Sequence, residues 1–167
     1  SATPDLLPAG REITGSGFVV APGMTTVFAK YEGRITRIAV APGDHVERGQ
    51  VLVTLEDAGA GFALEQAKAA ETQAGLVLAA RDIDLAQART LLNRTEILTA
   101  RNAASLQALE DARTAAERAA NAVAQAAQSA DSAALAVRIA EERVAELTVR
   151  APLTGTVTRL EARVGDT

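Results

Sequence analysis

The sequence predicts an α+β chain: a small β-sandwich formed by two half-motifs and interrupted by a long antiparallel coiled-coil α-hairpin. Three observations carry this reading. Short Gly-bounded apolar alternations occupy both ends of the chain, an apolar 3-4 repeat fills its middle, and a stretch before that repeat is echoed after it.

Composition narrows the function. The 167 residues are 2 % aromatic with no Trp, and Ala dominates the middle, so part of the molecule is expected to be thin and extended rather than a bulky core. A formal net charge of −4 without a basic run argues against a nucleic-acid partner and against a polybasic membrane surface. With no Cys and one His, there is no thiol chemistry, no disulfide and no His-based metal centre. No run approaches the roughly 18 apolar residues of a membrane span, and no signal peptide is present. An exported or anchored parent is therefore expected to carry that segment outside this sequence.

The elements follow in order. Residues 1–12 are punctuated by Pro and Gly and read as loose. "ITGSGFVVAPG" offers a strand ended by Pro22-Gly23, and "MTTVFAKYEG" a second. Ile35, Ile38 and Val40 mark a third, and "APGDHVERG" is a turn region with Gly43 and Gly49. In "VLVTLE", Val51, Val53 and Leu55 alternate with Leu52 and Thr54.

From Phe62 the period changes. Leu64, Ala67, Ala74, Leu78, Leu85, Ala88 and Leu92 fall on one 3-4 repeat, interrupted by Glu71 and Arg81. A second segment repeats without a break through Leu109, Ala112, Ala116, Ala119, Val123, Ala126, Ala130, Ala133, Val137, Ala140, Val144 and Leu147. At 1.5 Å per residue that seam spans roughly 57 Å. Between them "ILTARNAAS" holds the turn, with Arg101-Asn102 as its centre because Asn tolerates the left-handed conformation. Two helices of similar length around a short loop are expected to fold back on each other, with one long continuous helix as the alternative. Ala fills 7 of the 12 positions in the second seam, and a buried methyl contributes only about 0.8 kcal/mol. So thin a seam predicts that neighbouring hairpins in an oligomer add contact.

After the hairpin, "GTVTRLEARVGDT" (Gly155 to Thr167) aligns without a gap on "GRITRIAVAPGDH" (Gly33 to His45). Gly33/Gly155, Thr36/Thr158, Arg37/Arg159, Gly43/Gly165 and Asp44/Asp166 are identical, while Ile35/Val157 and Ile38/Leu160 are conservative. The stretch from Tyr31 to Phe62 resembles the first half of a biotinyl/lipoyl carrier domain, which presents its modified lysine just after the "VLVTLE" strand. Here that turn holds Asp57, Ala58 and Gly59, and the two lysines of the chain are Lys30 and Lys68. The hairpin stands where the lysine turn would be, so no cofactor is expected.

A split lipoyl-like domain interrupted by an α-hairpin and closed by "APLTGTV" resembles the periplasmic adaptor, or membrane fusion, proteins of tripartite efflux and secretion systems. The resemblance runs from about Gly15 to Thr167. It implies residues 1–27 as a tail with one β-barrel strand, 28–60 as the first lipoyl half-motif, 61–148 as the hairpin with its tip near 99–104, and 149–167 as a truncated second half. The family's further barrel and membrane-proximal domains are not in this sequence. It also implies a non-enzymatic periplasmic subunit, attached to the inner membrane by a segment absent here. Its expected partners are an inner-membrane transporter, a TolC-type outer-membrane channel, and further copies of itself as a hexamer. An ABC exporter is favoured over a pump of the resistance-nodulation type on the look of "GSGFVVAPGMTTVFAKYEGRI". Cargo is not legible.

The family's channel-docking signature is an Arg, a Leu four residues on and a Ser seven residues after that. "RTEILTARNAAS" supplies Arg94, Leu98 and Ser105 at those spacings. Arg94 offers a planar fork of donors, Leu98 an apolar knob and Ser105 a compact hydrogen-bonding group. Each also has a plainer role: a solvated arginine, the end of the seam, an N-cap. His45 reads as a surface residue, and Asp44 and Asp166 as turn stabilisers. The hairpin's acidic residues alternate with Arg and Gln, as on a solvated coiled-coil face. Two other functions compete. A true carrier domain needs the missing lysine, and a plain coiled-coil spacer leaves the split half-motifs unexplained.

Overall fold

The computed structural model describes residues 16–21, 25–29 and 34–160. Gly33, the opening stretch 1–12, and Gly165 and Asp166 of the second repeat copy lie outside them. The described chain divides into two compact units, Glu65–Ile139 and the residues flanking it on both sides.

Among the described residues the flanking unit contains seven strands. β1 (Ser16–Ala21), β2 (Thr25–Ala29), β7 (Gly155–Leu160) and β4 (His45–Val46) form one sheet in the order β2-β1-β7-β4. β3 (Arg34–Ile38), β5 (Val51–Glu56) and β6 (Thr148–Arg150) form the other, in the order β3-β5-β6. All the pairings are antiparallel, including that of β1, the expected barrel strand, along β7. One apolar core draws on both sheets: Ile35 from β3, Val46 from β4, Leu52, Val53 and Leu55 from β5, Val149 from β6 and Val157 from β7. Burial on the inner faces of two sheets is what makes the unit a sandwich.

The repeat has a structural counterpart. β3 belongs to the first copy and β7 to the second, and each lies in a different sheet. Their equivalent residues Ile35 and Val157 are both 1 % exposed, so the two copies point the same position into the one core. Backbone hydrogen bonds stitch the halves together: Gly43 N donates to Val157 O at 2.6 Å, Val157 N to Asp44 O at 2.8 Å, Gly49 N to Ala151 O at 2.8 Å and Ala151 N to Gln50 O at 2.8 Å. Gly43 and Gly49 sit at φ +97° and +87°, a region that side chains with a Cβ rarely adopt. Asp44 stabilises its turn as expected, its Oδ2 accepting from Ala41 N at 2.9 Å. The expected alternation in β5 breaks at Leu52 and Val53, which are both buried. The register of β5 against β6 shifts there, and an irregularity of that kind lets consecutive side chains face the core.

The helical unit is built by α1 (Ala58–Ala100) and α2 (Leu106–Ala145), an antiparallel pair. Every one of the twelve seam positions from Leu109 to Leu147 is buried or half-buried. In α1 the seam continues past Leu92 through Thr95, which is 8 % exposed, and the half-buried Thr99. The expected weakening near the turn is thus a change from Leu to Thr, with the 3-4 spacing intact. Thr95 Oγ1 donates to Leu91 O at 2.8 Å, which satisfies the hydroxyl inside its own helix. Of the two interruptions, Glu71 stays exposed. Arg81 is half-buried with Nε 3.0 Å from Asp84 Oδ2, an ion pair without the alignment of a hydrogen bond. No described helix is long and apolar enough to cross a membrane.

α1 is apolar on two sides. Besides the seam, Phe62, Leu76, Ile83 and Ile97 lie in register at multiples of seven residues and are exposed, with Ala69 and Thr90 completing the row. The corresponding row of α2 reads Thr114, Asn121, Gln128, Leu135 and Glu142 and is polar but for Leu135. A surface helix with a single apolar face reads like α2; one with two has a second surface to cover.

Two substitutions test the units separately by denaturant unfolding followed by far-UV circular dichroism. Leu52→Ala empties a fully buried position of the sandwich and is expected to cost about 2–5 kcal/mol. Gly75 is in the interior of α1 with open space around its missing Cβ, so Gly75→Ala is expected to add about 0.5–1 kcal/mol.

Candidate functional site

The hairpin tip is defined by how two helices end. α1 stops in a left-handed turn at Asn102, whose φ is +57°. Ala103 N donates back to Leu98 O at 2.8 Å and Asn102 N to Thr99 O at 3.0 Å, the pair of bonds that closes a Schellman cap. Gly usually occupies the left-handed position; here Asn does. α2 starts four residues later, at Leu106. Ser105 Oγ accepts from Ala108 N at 3.0 Å, and Leu109 N donates to Ser105 O at 3.2 Å. Ser105 is therefore the N-cap of α2, the plainer role foreseen for it. Its hydroxyl proton stays available for donation, and the residue is exposed.

Arg94 and Leu98 are one helical turn apart on α1, and Ser105 stands across the turn. Arg94 is exposed and forms no ion pair or hydrogen bond with another described side chain. Leu98 is 38 % exposed, so it does not close the seam; Thr95 and Thr99 do that on the neighbouring face. All three signature residues thus lie at one end of the hairpin with side chains open to solvent. Two neighbours share that exposure without belonging to the signature: Ile97, and Leu106, the first residue of α2. Their positions at the helix ends were legible in the sequence, but nothing in its spacing marked them.

The opposite end of the hairpin is fixed by Asp57. Its Oδ1 accepts from Gly59 N at 3.0 Å and caps α1, while its Oδ2 lies 3.3 Å from Arg143 Nη2 near the end of α2. A Cβ on Gly59 would sit 3.1 Å from Oδ1, so glycine leaves the carboxylate room to cap. Asp57 occupies the turn after β5 and starts a helix there. His45 is exposed in β4. Among the described residues no three His, Cys, Asp or Glu are grouped to hold a metal ion.

This architecture was compared with known proteins. No protein-family model matches the sequence, and no curated protein does. Among solved structures, MacA from Actinobacillus actinomycetemcomitans superposes with a TM-score of 0.77 at 23 % identity, over 92 % of this chain and 47 % of that one. The chain shares the fold of the part of MacA that it matches. It spans about half of MacA, and at this identity the likeness to MacA speaks for the fold alone. The membrane fusion protein Spr0693 from Streptococcus pneumoniae R6 (20 % identity, 90 % of this chain and 55 % of that one) reaches a TM-score of 0.44. ZneB from Cupriavidus metallidurans (24 % identity, 97 % and 47 %) reaches 0.38. Superpositions as loose as these two add nothing to the likeness to MacA.

The caps set the stability of the tip. Asn102→Ala forces a Cβ into the left-handed region without the Asn side chain and is expected to cost about 1 kcal/mol, whereas Asn102→Gly is expected to be neutral or better. Ser105→Ala is expected to cost about 1 kcal/mol and Ser105→Asp close to none, since Asp caps equally well. Thermal unfolding read by circular dichroism checks all four.

Proposed function

We propose that this chain is the hairpin-bearing part of a periplasmic adaptor of a tripartite efflux or export system. It would link an inner-membrane transporter to a TolC-type outer-membrane channel through the hairpin tip. One observation carries the reading: the sandwich is interrupted at Asp57, the position of a carrier's lysine, by a helical hairpin, and the whole superposes on MacA with a TM-score of 0.77. The role is mechanical. The hairpin reaches outward, its tip meets the helical ends of the channel, and the chain performs no chemistry of its own. An ABC exporter is favoured over a resistance-nodulation pump on the character of the strands from Gly15 to Ile35. The parent protein would be held at the inner membrane by a segment outside this sequence.

Assembly as a ring, a hexamer by resemblance, is supported by the two-sided apolarity of α1. The exposed row Phe62, Leu76 and Ile83 below the tip is a surface for a neighbouring hairpin, and it compensates for an α2 seam built mostly of Ala.

Docking is proposed to use Arg94, Leu98 and Ser105. Arg94 would pair its guanidinium with a carboxylate or carbonyls of the channel, Leu98 would bury against it, and Ser105 would donate its hydroxyl proton while still capping α2. The experiment is a titration of the purified chain against a TolC-type channel in detergent, in an assay that reads dissociation constants to about 1 mM, roughly −4 kcal/mol. Arg94→Asp and Ser105→Arg are each expected to weaken binding about tenfold or more with helicity unchanged, and Ser105→Asp serves as the control that keeps the cap. Binding that ignores both substitutions removes these residues from the interface. No binding by the unmodified chain to any channel leaves the spacer function in place of the adaptor.

A further inference from the structure

The apex of the hairpin differs in composition from its shaft. Between Ile97 and Leu109 the one ionisable side chain is Arg101, in a chain that is 23 % charged overall. Three large apolar side chains are nonetheless exposed in that span: Ile97 at 49 %, Leu98 at 38 % and Leu106 at 72 %. Some backbone groups there are already used, the carbonyls of Leu98 and Thr99 by the Schellman bonds and the Ala108 amide by Ser105. Beside the Ser105 hydroxyl, what the apex offers is apolar side chains around one guanidinium.

We infer that Ile97, Leu106 and Arg101 form the main contact of the docking tip, and that the surface they meet is a protein end presenting apolar side chains around a carboxylate. This rests on the docking function proposed above and assigns its energetic centre to residues outside the Arg94, Leu98 and Ser105 set. Charge decides among the possible occupants. A second copy meeting this one tip to tip would set Arg101 against Arg101. A lipid surface is met by helices with a broad cationic face and aromatic anchors. The apex has one cation and no aromatic residue. A protein partner with a carboxylate satisfies both the apolar surface and the arginine. Contacts of this composition derive most of their affinity from apolar burial, so they are weakly screened by salt.

The test repeats the channel titration with the same chain at low and high salt, adding Leu106→Gln, Ile97→Gln, Arg101→Gln and Arg101→Glu. All three positions are exposed, so circular dichroism should read unchanged helicity. Leu106→Gln is expected to weaken binding about tenfold and Ile97→Gln severalfold, in line with loss of anchor side chains from a small interface. Arg101→Glu is expected to be worse than Arg101→Gln, and raising salt tenfold to weaken the unmodified chain less than tenfold. Channel binding that Leu106→Gln and Ile97→Gln leave intact, or that salt abolishes, overturns this assignment while leaving the adaptor function standing. Failure of the unmodified chain to bind any channel overturns both. Binding to anionic phospholipid vesicles that Leu106→Gln removes, or tip-dependent dimers by sedimentation, would instead give the apex to lipid or to a second copy.

Discussion

The structure depends on one adjacency: β5, which leads into the hairpin, and β6, which leads out of it, are neighbours in the same sheet. Leu55 N donates to Leu147 O at 2.7 Å, and Val53 pairs with Val149, so the chain must come back to within a strand's width of where it left. A long insertion satisfies that condition if it doubles back on itself. A helical hairpin does so, and it also supplies its own backbone hydrogen bonds along its whole length. The entropy of closing such a loop rises only slowly with its length, which is why a small sandwich tolerates so large an interruption. Asp57 and Arg143 sit at this crossing, joining the start of one helix to the end of the other. Their ion pair is partly exposed and contributes little by itself. Its value is in geometry, because the same carboxylate also fixes where α1 begins.

The sandwich can be cut in two because its halves interlock through backbone as well as core. Strand β4 of the first half pairs with β7 of the second, and the Gly43 to Gln50 turn exchanges hydrogen bonds with Ala151 and Val157. Neither half closes a core alone. Folding of the sandwich therefore waits on residues far apart in sequence, while each helix can begin to form locally.

The hairpin divides its surfaces by side-chain size. A seam of small residues lets the two helices pack closely while giving little apolar burial, and Thr95 extends it toward the tip with its hydroxyl turned back on its own helix. Further large apolar side chains face outward, in a row along α1, at Leu135 and Ile139 of α2 and at the apex.

Much of this was legible in the sequence by itself. The 3-4 repeat named the seam of α2 residue by residue, and Asn102 marked the turn because a left-handed position between two helices needs Gly or Asn. The Gly33 and Gly155 repeat foretold a shared core, since equivalent apolar positions in a repeat face the same way. Arg94, Leu98 and Ser105 were singled out by the resemblance, and they lie exposed at that end of the hairpin. Tertiary structure decided the rest. Burial of both Leu52 and Val53 follows from a register shift that depends on the partner strand. The pairing of Asp57 with Arg143 joins residues that no local pattern connects. The exposure of Ile97 and Leu106 was undecided as well, because an apolar residue beside a seam reads the same in sequence whether it faces inward or out. Periodicity reports which residues share a face. Only the packed chain shows which faces remain uncovered.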